Sequence, residues 1–339
     1  MSLPAGELEV VTSTALPGDG SDGHLPGAIE GRSLFQIAFT QLRRDKVALA
    51  GGIVAFLIVL IAVFAGPLTK LYGQSPTHQN GGDPNLVNPD TLMPTGTFGG
   101  ISGSHWLGVI PVTGNDVLAQ LIYGARTSLI ISASATTLSL LLGVTLGLIA
   151  GYYRGWQDSV IARVMDTLLA FPTLLFSIAL LTVFSIVPSF LGMSGQVLRF
   201  AVIIFVLGFF GFPYIGRIVR GQVLSIREKE FIDASRSLGA SNYRIITREI
   251  FPNVLGPILV YATLTIPNYM LGEAGLSYLG VGVNPPTVSW GQMLSDAGNY
   301  FQVDPAYLFC PGIAIFISVM AFNLFGDGLR DALDPKSTR

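Results

Sequence analysis

Residues 128–150 read SLIISASATTLSLLLGVTLGLIA, 23 positions without Asp, Glu, Lys, Arg or His. A helix rises about 1.5 Å per residue, so this run can cross a hydrocarbon layer about 30 Å thick. It does not alternate apolar with polar residues as a barrel strand must, so its backbone has to satisfy itself as a helix. Five further charge-free windows lie at 47–66, 167–187, 200–216, 253–272 and 308–326. Their lengths are 20, 21, 17, 20 and 19 residues, and the short fourth is expected to extend into its flanks. The expected fold class is therefore an all-α integral membrane protein with six transmembrane helices.

Composition agrees. Half of the 339 residues are hydrophobic, mean hydropathy is +0.58, and 12% are charged, against about 25% in soluble domains. Such a chain cannot cover a globule with polar surface, and the lipid bilayer is its solvent. Cys310 stands alone, so no internal disulfide forms, and His24, His78 and His105 are too scattered for a metal cluster. A formal charge of −2 gives no electrostatic reason to expect nucleic acid.

The basic residues set the expected orientation. With the N-terminus inside, the inner segments hold sixteen of the nineteen Lys and Arg, and the outer ones only Lys70, Arg126 and Arg199. Both tails are then cytoplasmic. The expected organisation is a tail at 1–46, whose first 31 residues are acidic, Gly- and Pro-rich and disordered, and a first helix at 47–66 that itself directs insertion. An extracytoplasmic segment at 67–127 is long enough to fold over the mouth of the bundle. A five-helix core follows at 128–328, with a cytoplasmic loop at 220–252 and a tail at 329–339.

Several chemistries are missing. The windows contain no ionisable residue, which disfavours proton- or sodium-coupled transport. There is no phosphate-binding GxxxxGK[ST] loop and no GxSxG. The chain is expected to bind no cofactor and to be no enzyme. It is a passive pore, an intramembrane enzyme or one subunit of a driven machine, and the enzyme lacks a paired nucleophile and base.

The stretch 228–253, EKEFIDASRSLGASNYRIITREIFPN, separates these classes. Glu228, Glu230 and Asp233 suit a helix N-terminus, and Phe231, Ala234, Ser235 and Leu238 fall at i, i+3, i+4 and i+7 as one small, apolar stripe. Gly239 stops that helix, Ser241 or Asn242 caps the next, and Pro252 opens the fifth span at its first turn. Without more, this is an amphipathic hairpin on the inner leaflet. It resembles, however, the EAA loop of permease subunits in ATP-binding-cassette (ABC) importers, with Asp233, Ala234, Ser235, Gly239, Phe251 and Pro252 at matching places. Asp, Ser and Phe there replace the usual Glu, Ala and Leu, and Glu249 occupies an Ile position.

Three further blocks, RVMDTLLAFPTLL (163–175), LSYLGVGVNPPTVSWGQML (276–294) and NLFGDGLRDALDPK (323–336), resemble the second permease subunit of dipeptide, oligopeptide and nickel importers. The approach to the second span is similar too, with Asn115 and Gln120 where that family commonly has Arg. The resemblance implies a prokaryotic inner-membrane protein working with a second homologous permease, two ABC ATPase subunits and an extracytoplasmic substrate-binding protein. The cargo it implies is peptide, or nickel or another small solute. It implies an ATPase-docking face of Glu230, Phe231, Asp233, Ala234, Ser235, Leu238, Gly239 and Ala240. Asn268 and Glu273 are the candidate substrate-pathway residues, Glu273 otherwise being an interfacial carboxylate.

Three smaller expectations concern packing. Gly143, Gly147 and Gly151 permit close approach of a neighbouring helix. Pro172 and Pro267 kink the third and fifth spans. Arg163 and Asp166 form an interfacial ion pair.

Overall fold

The computed structural model describes residues 40 and 42–333. The expected disordered tail at 1–31 and the last residues of the C-terminal tail lie outside them. Helix α1 (Lys46–Val63) starts where the Asp45 carboxylate accepts from the N–H groups of Val47 and Ala48 at 2.9 and 3.0 Å. A short α2 (Ala65–Tyr72) follows, and an irregular segment leads to α3 (Val117–Tyr152). Next come α4 (Trp156–Leu169), α5 (Thr173–Ile186), a two-stranded hairpin at 189–194 and α6 (Gly195–Arg227). Beyond it lie α7 (Glu230–Ser237), α8 (Asn242–Tyr278), α9 (Trp290–Ala297) and α10 (Pro305–Leu333).

Five of these helices are long and apolar enough to cross a membrane, and α4 with α5 makes a sixth if taken together. That pair is bent by 80°, which is more than the kink expected of Pro172. A proline disfavours helical backbone at the residue before it, so the chain breaks at Phe171 and leaves as a new helix. The charge-free windows also understate the helices. Helix α3 starts at Val117, inside the expected outer segment, because Asp116 caps it by accepting from Ala119 N–H at 2.7 Å. Helix α10 runs on to Leu333 through the charged residues Asp327, Arg330 and Asp331. The loop expected at 220–252 begins with eight residues that still belong to α6.

The bundle is organised by one close crossing. Gly143, Gly147 and Gly151 of α3 lie against the backbone of α6, as their spacing predicts. A Cβ built on Gly147 would stand 2.8 Å from Gly216 O and 2.8 Å from Val219 Cβ, and one on Gly143 would stand 2.9 Å from Phe212 O. Backbones this near maximise dispersion contact, which lipid does not supply by hydrophobic exclusion. Helix α1 packs on α10 in a similar way, Gly51 lying against Ala321 and Leu324. Large side chains on the opposite faces, such as Phe56, Leu141 and Phe316, are exposed, as surfaces solvated by lipid should be.

Residues 73–116 fold over one end of the bundle. Tyr72, His105 and Asp116 tie the segment down: His105 Nδ1 lies 2.8 Å from Asp116 Oδ2, and the Tyr72 hydroxyl lies 3.0 Å from the same oxygen. Burial, the largest influence, pushes the Tyr72 hydroxyl up to about 12, so it stays a neutral donor. Asn115 and Gln120 donate to Pro76 O at 3.2 and 3.0 Å, which fixes the chain by amides rather than by charge. Among the described residues, four that are not glycine hold left-handed backbone: Leu92, Phe98, Val112 and Leu191, with φ of 57°, 50°, 66° and 50°. Each such residue costs about 1–3 kcal/mol.

Replacing Gly147 with Val is expected to destabilise the protein by about 1–3 kcal/mol through overpacking. Thermal unfolding in detergent should show a lowered Tm. Gly221→Ala, where nothing lies within 4 Å of the new Cβ, should leave Tm unchanged or slightly raised.

Candidate functional site

At the end of the bundle opposite the 73–116 segment, α6 stops and the chain turns into α7. Arg227 makes the junction. Its side chain is 5% exposed, and Nη1 donates to Gly151 O at 3.2 Å and Tyr152 O at 2.8 Å. Those are carbonyls of the last turn of α3, which have no intrahelical donor and sit at the negative end of the helix dipole. Nη2 and Nε reach Glu228 Oε1 at 3.1 and 3.2 Å, and Arg154 meets the same carboxylate. The Arg227 hydrogen bond, ahead of the nearby Arg154 charge, holds the Glu228 carboxyl below its usual range.

Helix α7 is amphipathic in a particular sense. Ile232 alone points inward, fully buried among Val223, Ile245, Ile250 and Tyr152. Phe231, Asp233, Ala234 and Leu238 are exposed, Leu238 at 88%, and Ser235 is half-buried. Burying Ile232 contributes about 1.5–3 kcal/mol, enough to hold so short a helix in place. Gly239, with φ of 80°, ends it: Gly239 N–H donates to Arg236 O at 2.9 Å and Ala240 N–H to Ser235 O at 3.0 Å. This paired pattern needs left-handed backbone at the glycine position. Ala240, half-buried, then packs toward the Ile232 cluster. Glu230 is exposed in the first turn.

Ser241 caps the next helix, accepting from Arg244 N–H at 3.4 Å. Asn242 instead accepts from the Tyr152 hydroxyl at 2.7 Å, and the Arg236 guanidinium lies 5.7 Å from the Tyr152 ring centre. Pro252 stands in the first turn of the α-helical part of the fifth span, Phe251–Tyr278, as its position predicts. The helix is continuous from Asn242, passing through a π-helical turn at Ile245–Ile250. In such a turn residues five apart share a face, and both Ile245 and Ile250 are fully buried beneath α7. Motion of α7 therefore has a direct mechanical route into α8.

The other expected residues separate. Asn268 is exposed on α8 and donates to Leu264 O of its own helix at 2.7 Å. Glu273 is fully buried, not interfacial, and accepts from Ser128 Oγ at 2.9 Å and Ser277 Oγ at 2.7 Å. Trp290 N–H donates to Ser128 Oγ at 3.2 Å, so this carboxylate joins α3, α8 and α9. The pair read as Arg163 with Asp166 is also different: Asp166 pairs with Arg217 of α6, and Asp158 receives Arg220 in a bidentate contact of 2.6 and 2.9 Å. Both bonds fasten α4 to α6. Among the described residues no group of His, Cys, Asp and Glu is placed to hold a metal ion.

The site is thus a lone helix with one inward isoleucine and an outward apolar stripe, fixed to two spans. The family described as binding-protein-dependent transport system inner membrane component matches residues 143–339, and the N-terminal TM domain of oligopeptide transport permease C matches residues 33–89. The dipeptide transport system permease protein DppC of Alkalihalophilus pseudofirmus is 41% identical over 299 residues, 88% of this chain and 89% of its own. The oligopeptide transport system permease protein OppC of Bacillus subtilis is 40% identical, with 90% of both chains covered. The glutathione transport system permease protein GsiD of Pectobacterium atrosepticum is 36% identical, covering 86% of this chain and 88% of its own. A chain of the inward-facing MetNI methionine ABC transporter shares the fold with a TM-score of 0.52 at 19% identity, covering 64% of this chain and 97% of that one. The protein belongs to the family of binding-protein-dependent transport inner membrane components, and is a multi-pass permease of the ABC importer class.

Ile232, Arg227 and Tyr152 escaped the sequence reading. Ile232 sits between Phe231 and Asp233 and breaks the i, i+3, i+4, i+7 stripe, so its opposite phase was the signal. Arg227 read as one more inner positive charge.

Ile232→Ala is expected to cost about 2–5 kcal/mol and lower the Tm of the purified subunit, whereas Leu238→Ala should leave it unchanged. Glu228→Gln tests the junction by pH. The folded carboxyl titrates below its unfolded value, so its stabilising contribution is complete above the ordinary glutamate range and is lost as pH falls through the lowered value. The Tm gap between wild type and Glu228→Gln should be constant from about pH 6 to 8 and close in acid.

Proposed function

We propose that this chain is one of two permease subunits of an ATP-driven importer, and that its cargo is peptide delivered by an extracytoplasmic binding protein. The observation that carries the reading is the exposed stripe of Phe231, Ala234 and Leu238 on a helix whose opposite side is anchored by Ile232. Water does not favour an apolar stripe held rigidly outward, and a groove on a partner ATPase would bury it. Glu230 and Asp233 rim the stripe with charge, and Ser235, Gly239 and Ala240 allow close approach.

Orientation belongs to the same proposal: the loop faces the cytoplasm with both tails, following the excess of Lys and Arg at that end. Moving a two-state permease from 1:99 to 99:1 needs about 5.5 kcal/mol of differential binding, so the contact must be firm. Peptide cargo is supported by the likeness to dipeptide, oligopeptide and glutathione permeases along most of the chain. Import of nickel or another small solute by the same machinery is the second reading, supported by the resemblance of the 276–294 and 323–336 blocks.

Ala234→Trp adds bulk to an exposed site and should leave membrane insertion and Tm intact. ATP-driven peptide uptake in proteoliposomes of the complete transporter should fall by about tenfold or more, while the ATPases continue to hydrolyse ATP. Normal uptake by this variant would refute docking through the stripe. Substrate-specific flux through this chain reconstituted alone, without ATP, would make it a passive channel.

A further inference from the structure

Where the segment over the other end of the bundle meets the loop after α8 and helix α9, the chain encloses a cavity of about 280 Å³. Its lining is drawn from residues 76–120 and 285–300. Three amide side chains in that lining are more than nine-tenths buried: Asn115, Gln120 and Gln292 are 5%, 8% and 6% exposed. Ile110, Pro286 and Val288 add apolar wall. A water molecule takes up about 30 Å³ of liquid, so the space suits a small organic group and is too large for a bare metal ion.

The nitrogens of the three amides are already engaged. Asn115 Nδ2 donates to Pro76 O and His78 O at 3.2 and 3.1 Å, Gln120 Nε2 donates to Pro76 O at 3.0 Å, and Gln292 Nε2 donates to Asp296 Oδ2. Those partners only accept, so each amide must present its nitrogen to them and keep its oxygen for another donor. Among the described residues nothing donates to Asn115 Oδ1, Gln120 Oε1, Gln292 Oε1 or Asp296 Oδ1, and none of these four oxygens is sealed off. Asp296 lines the cavity too, and among the described residues none with a positive charge does. Burial raises the Asp296 carboxyl above its usual range, against the Gln292 hydrogen bond, and a cation beside it would restore the charged form.

We propose that this cavity receives the protonated amino terminus of the peptide cargo, the ammonium donating to Asp296 and the amide oxygens while the first side chain lies against Ile110 and Val288. This rests on the importer reading above and gives the permease a selective subsite of its own. An ammonium carries three N–H donors and no acceptor, which matches one carboxylate and three amide oxygens whose own nitrogens are spent. Partial enclosure by apolar walls strengthens such a charged contact. The place fits the role, since the cavity lies at the end of the bundle away from α7, where cargo arrives.

The test is equilibrium binding of radiolabelled trialanine to the complete transporter in lipid nanodiscs, without the binding protein, beside N-acetyl-trialanine, which lacks the charge. Trialanine should bind wild type about tenfold or more tightly than the acetylated peptide, and Asp296→Asn should remove that preference. Asn299→Arg, at an exposed position of the lining, brings in a positive charge without touching a buried group and should weaken trialanine in the same way. Equal binding of the two peptides by wild type, binding of neither, or an unchanged preference in both variants would overturn the subsite. Displacement of trialanine by calcium or sodium, and not by choline at the same ionic strength, would make the cavity an inorganic-cation site and overturn the proposal as well. Wild type that takes up no peptide in proteoliposomes supplied with ATP and the binding protein would overturn the importer reading instead.

Discussion

The guanidinium of Arg227 is buried where three helices meet, and the rest of the architecture depends on that placement. Helix α3 runs for 36 residues, and its final carbonyls need donors that its own backbone cannot supply. Arg227, the last residue of α6, supplies them at Gly151 and Tyr152. The two helices that cross along the glycine seam are thus also tied at their ends, and α7 begins three residues later. A displacement of α7 cannot be absorbed by slack at this junction. Close-packed helices respond as bodies, so motion imposed at Leu238 is handed to α6 and α3, and through the Ile245–Ile250 turn to α8.

The membrane fold was legible because hydrocarbon imposes one strong rule, that long charge-free stretches become helices. What lay outside that rule was misread at the ends. Asp116 looked like part of a loop, yet it is the cap that starts α3 eleven residues before the charge-free window. Pro172 looked like a kink and is a break, because the constraint on the preceding residue is steric and no packing across it restores the helix. Pro252 does open the α-helical run of the fifth span, but the π turn at Ile245–Ile250 that carries the helix back to Asn242 left no signal in the spacing.

The site was half legible. The spacing of Phe231, Ala234, Leu238 and Gly239 follows from helix geometry, so the outward stripe and its stop could be read directly. The inward anchor could not, because Ile232 acquires meaning only against Ile245 and Ile250, whose phase depends on the π turn. Glu273 failed for a related reason. A carboxylate beside an apolar run looks interfacial until Ser128 and Ser277 are found to donate to it, and Ser128 is 145 positions away along the chain.

The two ends of the bundle solve different mechanical problems, and their construction differs accordingly. At the α7 end the contact surface is a helix braced by a buried isoleucine, a buried guanidinium and the last turn of α3. Nothing there is strained except the glycine made for it. Rigidity there suits the docking proposed for α7, because compliance would dissipate an imposed motion before it reached the spans. At the 73–116 end the backbone is irregular, held by the amides of Asn115 and Gln120 and by Tyr72 and His105 on the Asp116 carboxylate, with left-handed Leu92, Phe98 and Val112 exposed.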